Sequence, residues 1–216
     1  MRKIAKTLIA GTALLSLAAL QVSAEEYVEY GNAEIINGQI NFGDVWSTIN
    51  ATVSGAEGDL HAFTQSVGNT VNIFTMSNTW VDNSQDQRGD VGAEINLEAT
   101  DVWGDVRIGA TALCNGAMVS TDPDVTAVKS EQTCGAKDPS AAVNVDLSNI
   151  SGGVGIAATA VSNQIQVDSN ARNFPIDSTQ LNRADTVATI NADISNTGQV
   201  DLSGSAVGNS ATFIHY

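Results

Sequence analysis

Two cysteines, Cys114 and Cys134, are the only thiols in this 216-residue chain, and chemistry is best sought there first. No CxxC pair or Cys/His cluster surrounds them, which argues against zinc binding and dithiol redox chemistry. In an exported chain the expectation is a disulfide between them. It would tie down a long connection and contribute about 3 kcal/mol through loop closure. Two free thiols or a metal pair are the alternatives. The histidines are His61, inside an alternating run, and His215, beside the C-terminus. A Ser-His-Asp mechanism would have to rest on His61, and no Gly-x-Ser-x-Gly elbow accompanies it. The chain is therefore not expected to be an enzyme, and no catalytic residue is assigned. Acidic residues are plentiful but lack the EF-hand spacing and the Gly-Gly-x-Gly-x-Asp repeat. Asp122 and Asp124 could share a calcium ion with backbone oxygens, against the blander reading of a solvated turn. No other metal or cofactor is expected. Arg88-Gly89-Asp90 spells an adhesion tripeptide, but the other repeats lack the Arg-Gly, so it reads as coincidence.

The polar residues that matter recur at fixed intervals. Four short alternating runs open at Ile49, Ile95, Val143 and Ile190, about 47 residues apart, a period typical of repeat architectures. In each run the first, third and fifth residues are apolar, so one strand face is buried. The second residue is always Asn: Asn50, Asn96, Asn144 and Asn191. A second column holds Asn69, Asn115, Asn163 and Asn209, and a third holds Asp44, Asp90, Asp138 and Asp185. Gln39, Gln85 and Gln180 stand ten residues before three of the starts, and the third repeat has no Gln there. Strands stacked ~4.8 Å apart would bring equivalent Asn or Gln side chains into hydrogen-bonded ladders. Asn also tolerates left-handed backbone, so Gly68-Asn69 and Gly208-Asn209 suit a corner or bulge. The columns read first as scaffold, and second as a binding surface presented four times.

The elements that would position these columns are β strands in an exported chain. Met1–Ala24 has a basic start, an apolar middle and small residues before a cut, the pattern of a cleaved signal peptide. Its apolar run falls short of the ~20 residues a membrane span needs, and no later stretch supplies one. The expectation is an exported protein of periplasm, cell surface or medium, without an integral membrane segment once the leader is removed. The chain has 24 Asp plus Glu against 9 Lys plus Arg, and Arg2, Lys3 and Lys6 of those nine lie in the leader. So acidic a surface repels nucleic acid and anionic headgroups. Beyond the leader no helical apolar stripe appears, only short alternating runs broken by Gly, Asn, Asp and Ser.

Residues 25–216 are expected to form one all-β domain. It divides into a partial cap repeat, 25–48, and repeats 49–94, 95–142, 143–189 and 190–216. The fold expected is a tandem-repeat β-solenoid with ~23 residues per turn, two turns to a repeat. An antiparallel β-sandwich or barrel is the alternative. Stretches 76–87, 121–139 and 168–179, two of them containing proline, are expected as loops on one side of the stack.

The leader, the acidic charge, the Gly-Asn pairs, the Asn and Gln columns and the tandem strands together resemble curli-type fibre subunits. They are similar also to the alphaproteobacterial holdfast-attachment proteins. The repeat is about twice the curli length and lacks its paired internal Gln, which argues against amyloid-like polymerisation. What the resemblance implies is a structural or adhesive role at the cell surface or in a matrix, as a fibre or holdfast-type subunit. Self-association through terminal strands is one expected partnership. A soluble module for polysaccharide or another surface ligand is the second reading, and a small outer-membrane β-barrel the third. The tail Ala211–Tyr216 alternates and ends on an aromatic, yet the sparse aromatics and the Ala, Gly and Val of the strand faces argue against a barrel.

Overall fold

The computed structural model describes residues 33–122, 126–135 and 139–216. The leader, Asp124 and Asp138 lie outside the described residues. The described residues wind through four coils of three strands each. The first coil is β1 (Ala33–Asn41), β2 (Val45–Ser54) and β3 (Leu60–Thr75). The second is β4 (Thr79–Gln87), β5 (Val91–Val102) and β6 (Val106–Thr121). The third is β7 (Thr126–Cys134), β8 (Pro139–Ile150) and β9 (Val154–Ser169). The fourth is β10 (Ile176–Asn182), β11 (Val187–Ser195) and β12 (Val200–His215). Equivalent strands stack into three four-stranded sheets: A from β1, β4, β7 and β10; B from β2, β5, β8 and β11; C from β3, β6, β9 and β12.

Every described strand pair is parallel, and Ile49, Ile95, Val143 and Ile190 stand in register. The fold is thus a β-solenoid, and the antiparallel sandwich or barrel is set aside. One expectation needs correction: a repeat supplies one coil of three strands, not two coils of ~23 residues. The cause lies in sheet A. The stretches expected as loops carry β4, β7 and β10, and the inward residues of β4 are Thr79, Val81, Asn83, Gln85 and Gln87. A strand that faces inward with amides and hydroxyls shows no apolar alternation, so it reads as a loop.

Sheet C explains the rest. Its strands are 16 residues long, and the side facing inward changes partway along. In β6 the even positions from Val106 to Cys114 are buried, then the odd positions from Asn115 to Thr121. The first half covers sheet B over a core of Val, Ile, Leu and Ala that includes Ile95, Ile108 and Val143. The second half covers sheet A over a smaller core around Val81, Val119 and Val167. Gly68 marks the change in β3, where a Cβ would come within 2.6 Å of the Cys114 carbonyl oxygen. The left-handed backbone lies elsewhere, at the corner between sheets B and C. There Gly55, Asp101, Asn149 and Asn196 have φ of 67°, 57°, 55° and 52°. Such residues are the ones that adopt this conformation most readily.

Candidate functional site

Between the two apolar cores lies a layer of side-chain amides, and it gathers two of the four recurrent columns. Asn69 Nδ2 donates to Asn115 Oδ1 at 2.9 Å, Asn115 to Asn163 at 2.8 Å and Asn163 to Asn209 at 2.8 Å. Opposite them, Gln85 Nε2 donates to Gln39 Oε1 at 3.0 Å, Gln132 to Gln85 at 2.8 Å and Gln180 to Gln132 at 2.8 Å. The Gln column is therefore complete: Gln132 fills the repeat that looked empty. It stands eleven residues before Val143, because that coil has one extra residue between β7 and β8. Aligning on sheet A alone would have found it.

Each ladder also stitches across the interior. Gln85 and Gln132 donate to the carbonyls of Gly116 and Gln164 on sheet C, both at 3.0 Å. Asn115 and Asn163 donate in return to Thr133 and Leu181 on sheet A, at 2.8 and 3.1 Å. Both amide hydrogens of these buried groups are thereby used, which buried polar groups require. The Asn ladder donates toward the C-terminus and the Gln ladder toward the N-terminus, so the two amide dipoles oppose each other.

The disulfide Cys114–Cys134 closes the same layer, joining the bend of β6 to the end of β7. Both cysteines are buried. In the register of sheet A, Cys134 shares its column with Asn41, Gln87 and Asn182. One coil thus has a covalent link where its neighbours have amides. Cys134 belongs to a strand rather than to a loop.

The remaining columns lie at the surface. Asn96 donates to Asn50, Asn144 to Asn96 and Asn191 to Asn144, at 2.8, 2.8 and 2.7 Å, along the outer face of sheet B. Asp44 Oδ1 accepts from the Asp90 backbone N–H at 2.8 Å at the corner between sheets A and B. A similar unforeseen column stands beside β6: Asp59 accepts from the Asp105 N–H, and Asp105 from that of Gly153. Asp122 accepts from Asn170 Nδ2 at 2.8 Å. Arg88 turns back onto Asp86 at 2.6 Å and over the Phe42 ring. His61 is on the outer face of sheet C, stacked with Phe63. Among the described residues no three His, Cys, Asp or Glu side chains gather to hold a metal ion.

One cation stands out on this acidic surface. Lys129 is 3.0 Å from Glu131 and in register with Asp82 and Asp177 on the strands either side. The Glu131 hydrogen bond, then Asp82, raise its pKa above the ordinary 10.5. A raised pKa favours the folded state below pH 10.5, and that contribution is lost as pH rises through the higher folded value. Lys129→Glu would stack three acids on adjacent strands. Its urea midpoint is expected to fall at low ionic strength and to recover in molar salt. A midpoint equal to wild type at low salt would remove Lys129 from the account.

The last coil differs from those before it. Val200, Leu202 and Phe213 occupy the inward positions that Val154, Ile156 and Val167 fill one coil earlier. Those three are buried, whereas Val200, Leu202 and Phe213 are 39%, 54% and 46% exposed. Among the described residues nothing pairs with the outer edges of β10, β11 and β12. Among the described residues the core of the last coil is left open. No described helix is long and apolar enough to cross a membrane.

Comparison with known proteins gives one result. The model of a family described as holdfast attachment protein D matches residues 75–214, which spans coils two to four. No curated protein and no solved structure matches the chain.

Proposed function

Because the chain belongs to the holdfast attachment protein D family, we propose that it is an adhesive structural component of the cell surface, a stiff spacer that joins other surface material through its open last coil. The family is one of attachment proteins rather than enzymes, and the residues of this chain support the same reading. Its recurrent polar groups bond mainly to each other and to the backbone, as a scaffold's do. The observation that carries the docking role is the exposed core at Val200, Leu202 and Phe213. An uncovered apolar layer bordered by unpaired parallel strands is a template for strand addition, where main-chain bonds supply affinity and matched side chains supply specificity.

The test is surface attachment of cells that make Leu202→Asp with Phe213→Asp in place of the wild type. Both residues are about half exposed, so the coil should fold while a docked partner would have to bury two carboxylates. We expect export and circular dichroism to match wild type and attachment to fall to the level of cells lacking the protein. Undiminished attachment would sink this reading.

A further inference from the structure

We infer that the occupant of the open last coil is the first coil of a second copy, so that the chains stack head to tail in unbroken register. This rests on the docking role proposed above and names its partner. Three outer columns carry the argument. The first reads Ile40, Asp86, Thr133, Leu181; the second Trp46, Gly92, Ser140, Val187; the third Phe74, Ser120, Asp168, Ile214. Each is apolar at both ends of the solenoid and polar or glycine between. Leu181 and Ile40 are 40% and 60% exposed, Val187 and Trp46 39% and 43%. Continuing the stack by one coil places Leu181 on Ile40 of the next copy, Val187 on Trp46 and Ile214 on Phe74. Apolar groups exposed on the first and last described coils then cover each other.

The interior gives the same register independently. The Asn ladder donates toward the C-terminus, and Asn209, which gives one amide hydrogen to the Gln180 carbonyl at 3.2 Å, has its second for Asn69 of the next copy. The Gln ladder donates the other way, so that copy's Gln39 is oriented to donate to Gln180. Only a parallel, head-to-tail contact satisfies both directions at once. The inward apolar columns continue also, with Ile190 meeting Ile49 and Phe213 meeting Ile73. Charge does not oppose the contact despite the acidic chain. Asp201 falls on His61, and acid meets acid only where Asp185 falls on Asp44, a column in which Asp44 already bonds to the Asp90 backbone. A heterologous contact of this kind does not close on itself and yields a filament.

Sedimentation velocity on the exported protein tests this with two variants. Leu202→Asp with Phe213→Asp blocks the last coil, and Ile40→Asp with Trp46→Asp blocks the first. The wild type should form a concentration-dependent ladder of species, and each variant alone should be monomeric. An equimolar mixture of the two variants should form one 1:1 dimer and nothing larger, since each supplies the end the other lacks. That dimer also shows that both variants are folded. A wild type monomeric at every concentration, or dimers of the first-coil variant with itself, would overturn the inference. If the wild type is monomeric while the last-coil variant still abolishes cell attachment, the docking role stands and its partner is a different molecule.

Discussion

Asn115→Leu is expected to lower stability by about 3–5 kcal/mol, although the two side chains share the same branched skeleton of four heavy atoms. Asn115 is fully buried and sits at the centre of the interior ladder. It accepts from Asn69 and donates to Asn163 and to the Thr133 carbonyl. Leu would strand all three partners in a dry interior, where each orphaned group costs about 1–3 kcal/mol, offset in part by the apolar surface gained. The control is Asn144→Ala, in a ladder of the same residue type on the outer face of sheet B. Water can replace those bonds, so the expected loss is about 1 kcal/mol. Urea midpoints decide between the two. Equal losses would mean that the interior amides hold the sheets together no better than those on the surface.

Removing the disulfide with Cys114→Ala and Cys134→Ala is expected to cost about 3 kcal/mol. The cysteines are 20 residues apart in sequence, so the bond removes substantial loop entropy from the unfolded chain. Its place in the fold adds to that effect. It ties the bend of β6 to the end of β7, where sheets A and C meet in the middle of the stack. The columns on either side are already occupied by Gln87 and Asn182. The effect should be local, with the largest rise in amide exchange in β6 and β7. Thermal unfolding with and without reductant, alongside the alanine pair, measures it. A midpoint unmoved by either treatment would show the bond to be dispensable.

Much was legible before any coordinates. The two Asn columns, the solenoid class and the pairing of the two cysteines could all be read along the chain, because in-register parallel stacking requires equivalent residues to recur once per coil. Gln132 was missed because the recurrence was counted from Ile49, Ile95, Val143 and Ile190. One extra residue between β7 and β8 shifted it by one place. Sheet A was missed for a deeper reason. Periodic hydrophobicity finds strands that bury carbon, and the inner face of β4 buries Asn83, Gln85 and Gln87 instead.

The sequence by itself determined acidic charge, repeat length and the identity of the stacked columns, since these depend only on composition and spacing. Tertiary structure alone decided which columns lie inside. Asn50 and Asn69 are both Asn in an alternating run, yet the first stays at the surface and the second crosses the core. The reversal of facing within each strand of sheet C separates them. It depends on the corner between sheets A and B lying opposite that point, where Ser66 Oγ donates to the Gly92 carbonyl, a contact between residues far apart along the chain. Among the described residues, the inner faces of the first and last coils have a neighbouring coil on one side only.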